Sequence, residues 1–99
     1  MKPQRMQDVY NAIVAHIQKK GDAYSGWYCG IASDWKERLF KEHKVPEDHW
    51  WIARQCYDNV AARDVEKILR KLGCDGTKEK GDDTAVYVYA YLKDTMTHP

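Results

Sequence analysis

The chain has 99 residues, 43% of them hydrophobic and 31% charged; that length supports one domain around one core and excludes a multidomain machine. Sixteen Lys and Arg against fifteen Asp and Glu leave a formal net charge of +1, so no whole-molecule field draws the protein to nucleic acid or to an acidic membrane, and any polyanion site must be local. No run approaches the roughly 18 consecutive apolar residues of a spanning helix and no secretory signal is visible, so a soluble, cytoplasmic chain with no membrane partner is expected.

In residues 4–19, Met6, Val9, Tyr10, Ile13, Val14 and Ile17 recur at i, i+3, i+4, i+7, i+8 and i+11, the stripe of an amphipathic helix. Pro3 suits its start, and Lys19, Lys20 and Gly21 its cationic last turn and stop. Residues 26–32 alternate, Trp27, Cys29 and Ile31 against Tyr28, Gly30 and Ala32, and predict a strand. Ser33 and Asp34 offer N-caps, with Glu37 at capping-box spacing from Asp34, for a short helix over 34–43 that buries Trp35, Leu39 and Phe40. Pro46 opens a linker, and His49–Cys56 reads as a second strand.

Asp58 or Asn59 caps a helix that runs to residue 72, with Ala61, Val65, Ile68, Leu69 and Leu72 as its buried stripe and Gly73 as its stop. Residues 73–83 carry glycines and charges without a large apolar side chain, the composition of a mobile loop. Val86, Val88, Ala90 and Leu92 then alternate with Tyr87, Tyr89 and Tyr91, the clearest strand in the chain. The order α, β, α, β, α, β predicts an α+β domain over residues 1–93, a three-stranded sheet flanked by about three helices, with 94–99 as a frayed, flexible tail. Cys29, Cys56 and Cys74 make an odd number without CxxC spacing, which argues for reduced thiols and against a disulfide framework or structural zinc.

The most informative stretch is Tyr28-Cys29-Gly30, the turn at Ser33-Asp34, and the following Arg38-Leu39 and His43. It resembles the second half of the GIY-YIG nuclease signature, where a Tyr-x-Gly strand leads through a short polar turn into a helix bearing an Arg. The resemblance covers residues 26–92, and Ala61–Ile68 looks like the later helix of that family whose Glu holds a divalent metal. It implies a nuclease, or a nuclease-derived nucleic-acid-processing module, that hydrolyses phosphodiesters of DNA or RNA. Tyr28 would then contact or activate the nucleophilic water, Arg38 hold the scissile phosphate, His43 serve as an accessory polar group, and Glu66 be the single protein ligand of Mg²⁺ or Mn²⁺. The chemistry suits those groups: a cation neutralises the phosphoryl oxygens, a guanidinium orients them and a base serves the water. The Gly-Ile-Tyr strand that opens the signature has no counterpart, its place being taken by the end of the first helix. The Asn that often follows the metal-binding Glu is also absent, since Asn59 is the last Asn of the chain.

Plainer readings stand beside each residue. Tyr28 on a strand is a packing residue; Arg38 has Asp34 at i−4 and Glu42 at i+4, an exposed ion-pair ladder. Glu66 has Arg63 at i−3 and Arg70 at i+4 for surface pairing, and His43 and His49 complement a helix end. Trp50 and Trp51 point to opposite sides of a strand, one for the core and one as a stacking platform for a base or a partner side chain. Tyr87, Tyr89 and Tyr91 share one face, as a covered sheet centre or a second binding surface. These aromatic groups carry the alternative reading, a non-catalytic interaction module for a protein or nucleic-acid partner. Charge supports a module without its own DNA-binding arm. Lys36, Arg38, Lys41 and Lys44 against Glu37 and Glu42 give a local +2, which releases few counterions and binds nucleic acid weakly.

Overall fold

The first apolar stripe winds into α1, Met6–Lys20, which buries Val9, Ile13 and Ile17 and ends where Gly21 takes the left-handed φ of 88°. A computed structural model describes residues 1–76 and 83–99. After a single 3₁₀ turn, Tyr24–Gly26, come β1, Trp27–Ala32, and a wide turn of π-helix, Glu37–Glu42. β2, Trp51–Gln55, α2, Asn59–Leu72, and β3, Tyr87–Leu92, complete the chain. The last strand lies in the middle: the sheet order is β1-β3-β2, with both pairings antiparallel, Tyr28 opposite Tyr91 and Trp51 opposite the same Tyr91. The α+β architecture, a three-stranded sheet and about three helices, is the one the element order predicts.

Strand alternation assigns the two sides of this sheet. Trp27, Cys29, Ile31, Ile52, Val88 and Ala90 point toward α1 and α2 and form the larger core. Tyr28, Ala53, Tyr89 and Tyr91 point the other way and are covered by Leu39, Val45 and the π-helix region. A sheet buried on both faces explains why Tyr replaces Val or Leu on the second face: the covering layer is thin and mixes apolar groups with the polar His43 and Arg38, and the phenol ring fills space while its hydroxyl finds partners.

Three expectations about elements need correction. The segment 34–43 begins with the expected Asp34 cap, its carboxylate accepting the Glu37 N–H at 3.1 Å, but continues as π-helix rather than α-helix. The His43 N–H donates to the Arg38 carbonyl, an i→i+5 bond at 3.0 Å, and Lys44 then turns the chain with a φ of 59° so that Val45 is buried. In α2 Val65 and Leu69 are buried as expected, but the stripe is completed by Asn59, Ala62 and Glu66, while Ile68 and Leu72 are 37% and 39% exposed, so the helix is rotated somewhat from the predicted phase. Residues 94–99, expected to fray, fold back: Asp94 accepts from the Met96 and Thr97 N–H groups at 2.7 and 3.1 Å, Thr97 is buried, and the His98 N–H donates to the His43 carbonyl at 2.7 Å.

The expected loop 73–83 divides. Residues 77–82 lie outside the described residues, and the residues before them run along β1, the Cys29 N–H donating to Asp75 and the Asp75 N–H to Trp27, both at 2.8 Å. That parallel bridge covers the outer edge of β1. All three cysteines are free thiols and buried. Among the described residues no helix is long and apolar enough to cross a membrane.

Candidate functional site

Under the π-helix, five side chains from separate segments meet on the second face of the sheet. Tyr28 comes from β1, Tyr89 and Tyr91 from β3, and Arg38 and His43 from the two ends of the wide turn. The π-type bond matters for this meeting. In an α-helix of 3.6 residues per turn, positions five apart point about 140° away from each other, whereas a wider turn swings Arg38 and His43 toward the same ring.

The hydrogen bonds fix the proton positions. A carbonyl only accepts, so His43 Nδ1–H donates to the His98 carbonyl at 2.7 Å, with the Tyr91 hydroxyl oxygen beside it at 3.0 Å. Nε2 is therefore the lone pair and accepts the Tyr89 O–H at 2.9 Å. The Tyr89 oxygen in turn lies within hydrogen-bonding reach of the Arg38 guanidinium, which also pairs with Glu42 at 3.2 Å. The result is a chain of donors from Arg38 through Tyr89 and His43 to the backbone of the C-terminal segment. The Tyr28 ring completes the packing, 4.7 Å from the His43 ring and stacked on Tyr91 at 5.3 Å between centroids.

Burial shapes the electrostatics. Loss of solvent pushes the His43 imidazole below its ordinary pKa, with the bond to His98 opposing and the Arg38 charge assisting, so the ring is neutral at pH 7. Burial also raises the phenols of Tyr89 and Tyr91 well above the ordinary tyrosine value. The burial penalty on Arg38 is outweighed by Tyr89 and Glu42, which hold the guanidinium firmly charged. A neutral, fully engaged imidazole and two protonated phenols form a polar core that carries no base facing solvent.

Of the residues singled out in the sequence, Tyr28, Arg38 and His43 are thus brought together, and Glu66 is not. Glu66 faces the helix layer on the opposite side of the sheet, where Cys29 Sγ approaches its carbonyl at 3.9 Å, and its carboxylate pairs with Arg70 one turn on. Tyr28 is 3% exposed and Glu66 6%. Burial raises the Glu66 pKa, against the lowering effect of Arg70. A hard divalent cation takes several oxygen ligands; this carboxylate is engaged by a guanidinium, and among the described residues no group of three His, Cys, Asp or Glu converges as a metal site. The donor set around Glu66 does not fit a resident Mg²⁺ or Mn²⁺.

The aromatic residues separate as adjacent strand positions must. Trp50 lies on the helix side, 5.3 Å from the His16 ring with the Lys20 ammonium 6.0 Å from its centroid. Trp51 lies on the other side, 5.4 Å from Trp35 and 5.3 Å from Phe40, its indole N–H donating to the Glu47 carbonyl at 2.8 Å. Tyr87 is half-buried and Tyr89 and Tyr91 are buried, so of the two readings of the tyrosine row the covered sheet centre is the one observed. His49 caps no helix: its Nε2 donates to the Leu92 carbonyl at 2.8 Å and lies 3.4 Å from Asp94. Trp51 was a candidate platform from the sequence; what sequence reasoning missed is that Trp35 and Phe40 join it in one half-buried cluster. Phe40 of that cluster lines a cleft of about 430 Å³, with Asp34, Lys36, Glu37, Lys41 and Glu47. The cluster's signal was present as two aromatics five residues apart beside the Trp-Trp pair, but as helix-core positions they were assigned to packing.

Compared with protein-family models, with curated proteins and with solved structures, the chain matches none.

Proposed function

We propose that this chain is a non-catalytic interaction module of GIY-YIG-like ancestry that binds a peptide segment of a protein partner at the Trp35–Phe40–Trp51 cluster. The observation that carries the reading is the separation of the nuclease-like groups. Tyr28 and His43 are buried on one side of the sheet, Arg38 at the rim of that network is half-buried and paired with Glu42, and Glu66 is paired with Arg70 on the other side. A phosphodiester would have to reach Tyr28 through that packing and, among the described residues, would meet no group of metal ligands there.

The cleft supports a peptide rather than a nucleic acid. Its walls set three carboxylates, Asp34, Glu37 and Glu47, against two ammonium groups, Lys36 and Lys41, around the Phe40 ring. That balance repels phosphate and favours a partner bearing a cationic side chain beside an apolar anchor. The Lys36 ammonium already lies 5.6 Å from the Trp35 ring centroid, the geometry an incoming Lys or Arg would extend.

Two experiments test this reading. Selection of peptides from a displayed random library should enrich Lys- or Arg-bearing sequences on the wild type. Binding should be lost in Trp51→Ala and Phe40→Ala and kept in Tyr57→Ala, whose side chain is exposed elsewhere on the molecule. Incubation with single-stranded, duplex and branched DNA and with RNA, in Mg²⁺ or Mn²⁺, should give no cleavage. Cleavage that disappears in both Arg38→Ala and Glu66→Ala would restore the nuclease reading.

A further inference from the structure

On the helix side of the sheet, outside the aromatic network, two thiols are brought together from distant parts of the chain. Cys29 lies in β1, an edge strand, and Cys74 follows the end of α2, where Gly73 turns the chain with a φ of 125°. The bridge between Tyr28 and Asp75, made by the Cys29 N–H to Asp75 and the Asp75 N–H to Trp27, sets the alternation of the incoming segment. Asp75 therefore shares a face with Tyr28, and Cys74 shares the opposite face with Trp27 and Cys29. The Cys74 N–H donates to the Leu69 carbonyl at 3.2 Å, which holds the residue in place at the helix end. The two thiols are buried in the same core cluster, and each is the largest influence on the other's titration. Cys74 is 5% exposed and Cys29 fully buried, so a reagent arriving from solvent meets Cys74 first.

The environment divides the labour between the sulfurs. The neighbouring Cys29 lowers the Cys74 pKa, with Lys93 adding to the effect and burial opposing it. Cys74, and then burial, raise Cys29 far above an ordinary thiol. The outer sulfur is thus the one disposed to act as thiolate, and the inner one keeps the proton. Cys56 has no such neighbour; burial, with Asp58, pushes it up to about 11.

We propose that Cys29 and Cys74 form a redox-modification site that takes an oxidised low-molecular-weight disulfide and closes to an intramolecular disulfide. The Cys74 thiolate attacks one sulfur of the reagent, whose S–S bond breaks; the first thiolate leaves and is protonated, and a mixed disulfide remains on Cys74. Cys29 then releases its proton and its sulfur attacks the Cys74 sulfur, expelling the second thiolate, which takes up that proton. Two protein thiols are oxidised to one disulfide and one reagent disulfide is reduced to two thiols. Closure pins the segment leaving α2 covalently to the edge of β1.

The test uses the full folded chain, equilibrated with glutathione and glutathione disulfide in graded ratios, quenched by alkylation and mapped by peptide mass. The expected result is loss of two hydrogen masses through a Cys29–Cys74 linkage, reversed by excess reduced glutathione, with Cys56 alkylated throughout. Cys29→Ser should trap glutathione on Cys74, and Cys74→Ser should take up none. Because either variant sits in the core, the wild-type map stands alone as the decisive measurement. The proposal is overturned if the linkage is missing at the most oxidising ratio, if it includes Cys56, if glutathione accumulates on Cys74 without closure, or if oxidation requires denaturing urea.

Discussion

Gly30 has no room for a methyl group, since a Cβ there would lie 2.5 Å from the Tyr89 hydroxyl oxygen and 2.7 Å from its Cζ. Gly30 and Tyr89 are cross-strand partners, and the Tyr89 ring lies over the glycine to deliver its hydroxyl between Arg38 and His43. Gly30→Ala must displace that ring, an overpacking expected to destabilise the fold by about 1–3 kcal/mol. Each kcal/mol lowers the melting temperature by roughly 4–8 °C in a domain of this size. Gly26→Ala is the control, its added Cβ meeting only Leu92 Cδ1 at 3.7 Å; equal melting temperatures for the two variants would show that the ring is not held by this contact. The trio Tyr28, Arg38 and His43 was legible as a set in the sequence, but its hub, Tyr89, was visible only as one of three alternating tyrosines. Alternation assigns a face and is blind to register, and the register opposite Gly30 is what makes Tyr89 central.

At the scale of elements, the order of the two α-helices, the helical segment after β1 and the three strands was legible from periodicity and capping residues; the 3₁₀ turn Tyr24–Gly26 was not, and phase and helix type also escaped. Both predicted and observed stripes of α2 have helical spacing and share Val65 and Leu69; the sheet, by burying Ala62 while leaving Ile68 and Leu72 partly exposed, chooses between them. The consequence is testable. Ile68→Lys should change stability by no more than about 0.5 kcal/mol, whereas Ala62→Leu, at a fully buried position, should cost about 1–3 kcal/mol. The reverse ranking in urea titration would return the helix to the phase read from its sequence. Its start is less ambiguous: the Asp58 carboxylate accepts the Ala61 N–H at 2.8 Å, and Asp58→Ala should lose about 1 kcal/mol. The π-helix had no sequence signal of its own. It forms because a single wide turn lets Arg38, Leu39 and His43 all reach the sheet, a demand made by the tyrosine face and not by residues 37–42 themselves.

For the molecule as a whole, near-neutral charge leaves stability against pH to a few buried groups. His43 is held below its ordinary value of 6.5 by burial, and His16 likewise by burial, with Arg54 and Lys19 adding repulsion. Near pH 6.5 the unfolded chain takes up protons that the folded chain refuses, so the unfolded state binds more of them and stability rises with pH. The contribution of these imidazoles is fully present above 6.5 and is lost as the pH falls toward their folded values, at most about 1.4 kcal/mol per pH unit for each proton. Glu66 has the opposite sign: its folded value is raised, so the burial penalty felt at neutral pH is relieved as acid protonates it first in the folded state. Urea midpoints measured from pH 7 down to about pH 5 should therefore decline. The decline should flatten in the double variant His16→Gln/His43→Gln and steepen in Glu66→Gln. An unchanged slope in the double variant would place the proton uptake elsewhere. Because the His98 carbonyl accepts from His43 and the His98 N–H donates back to the His43 carbonyl, truncation after Asp94 should open the ring to solvent. Relief of burial, the largest cause of the lowered value, should outweigh loss of the His98 carbonyl, which favours the charged form, and move the His43 titration, followed by NMR, up toward 6.5; a midpoint left unshifted would show that burial by the C-terminal segment is not what keeps the imidazole neutral.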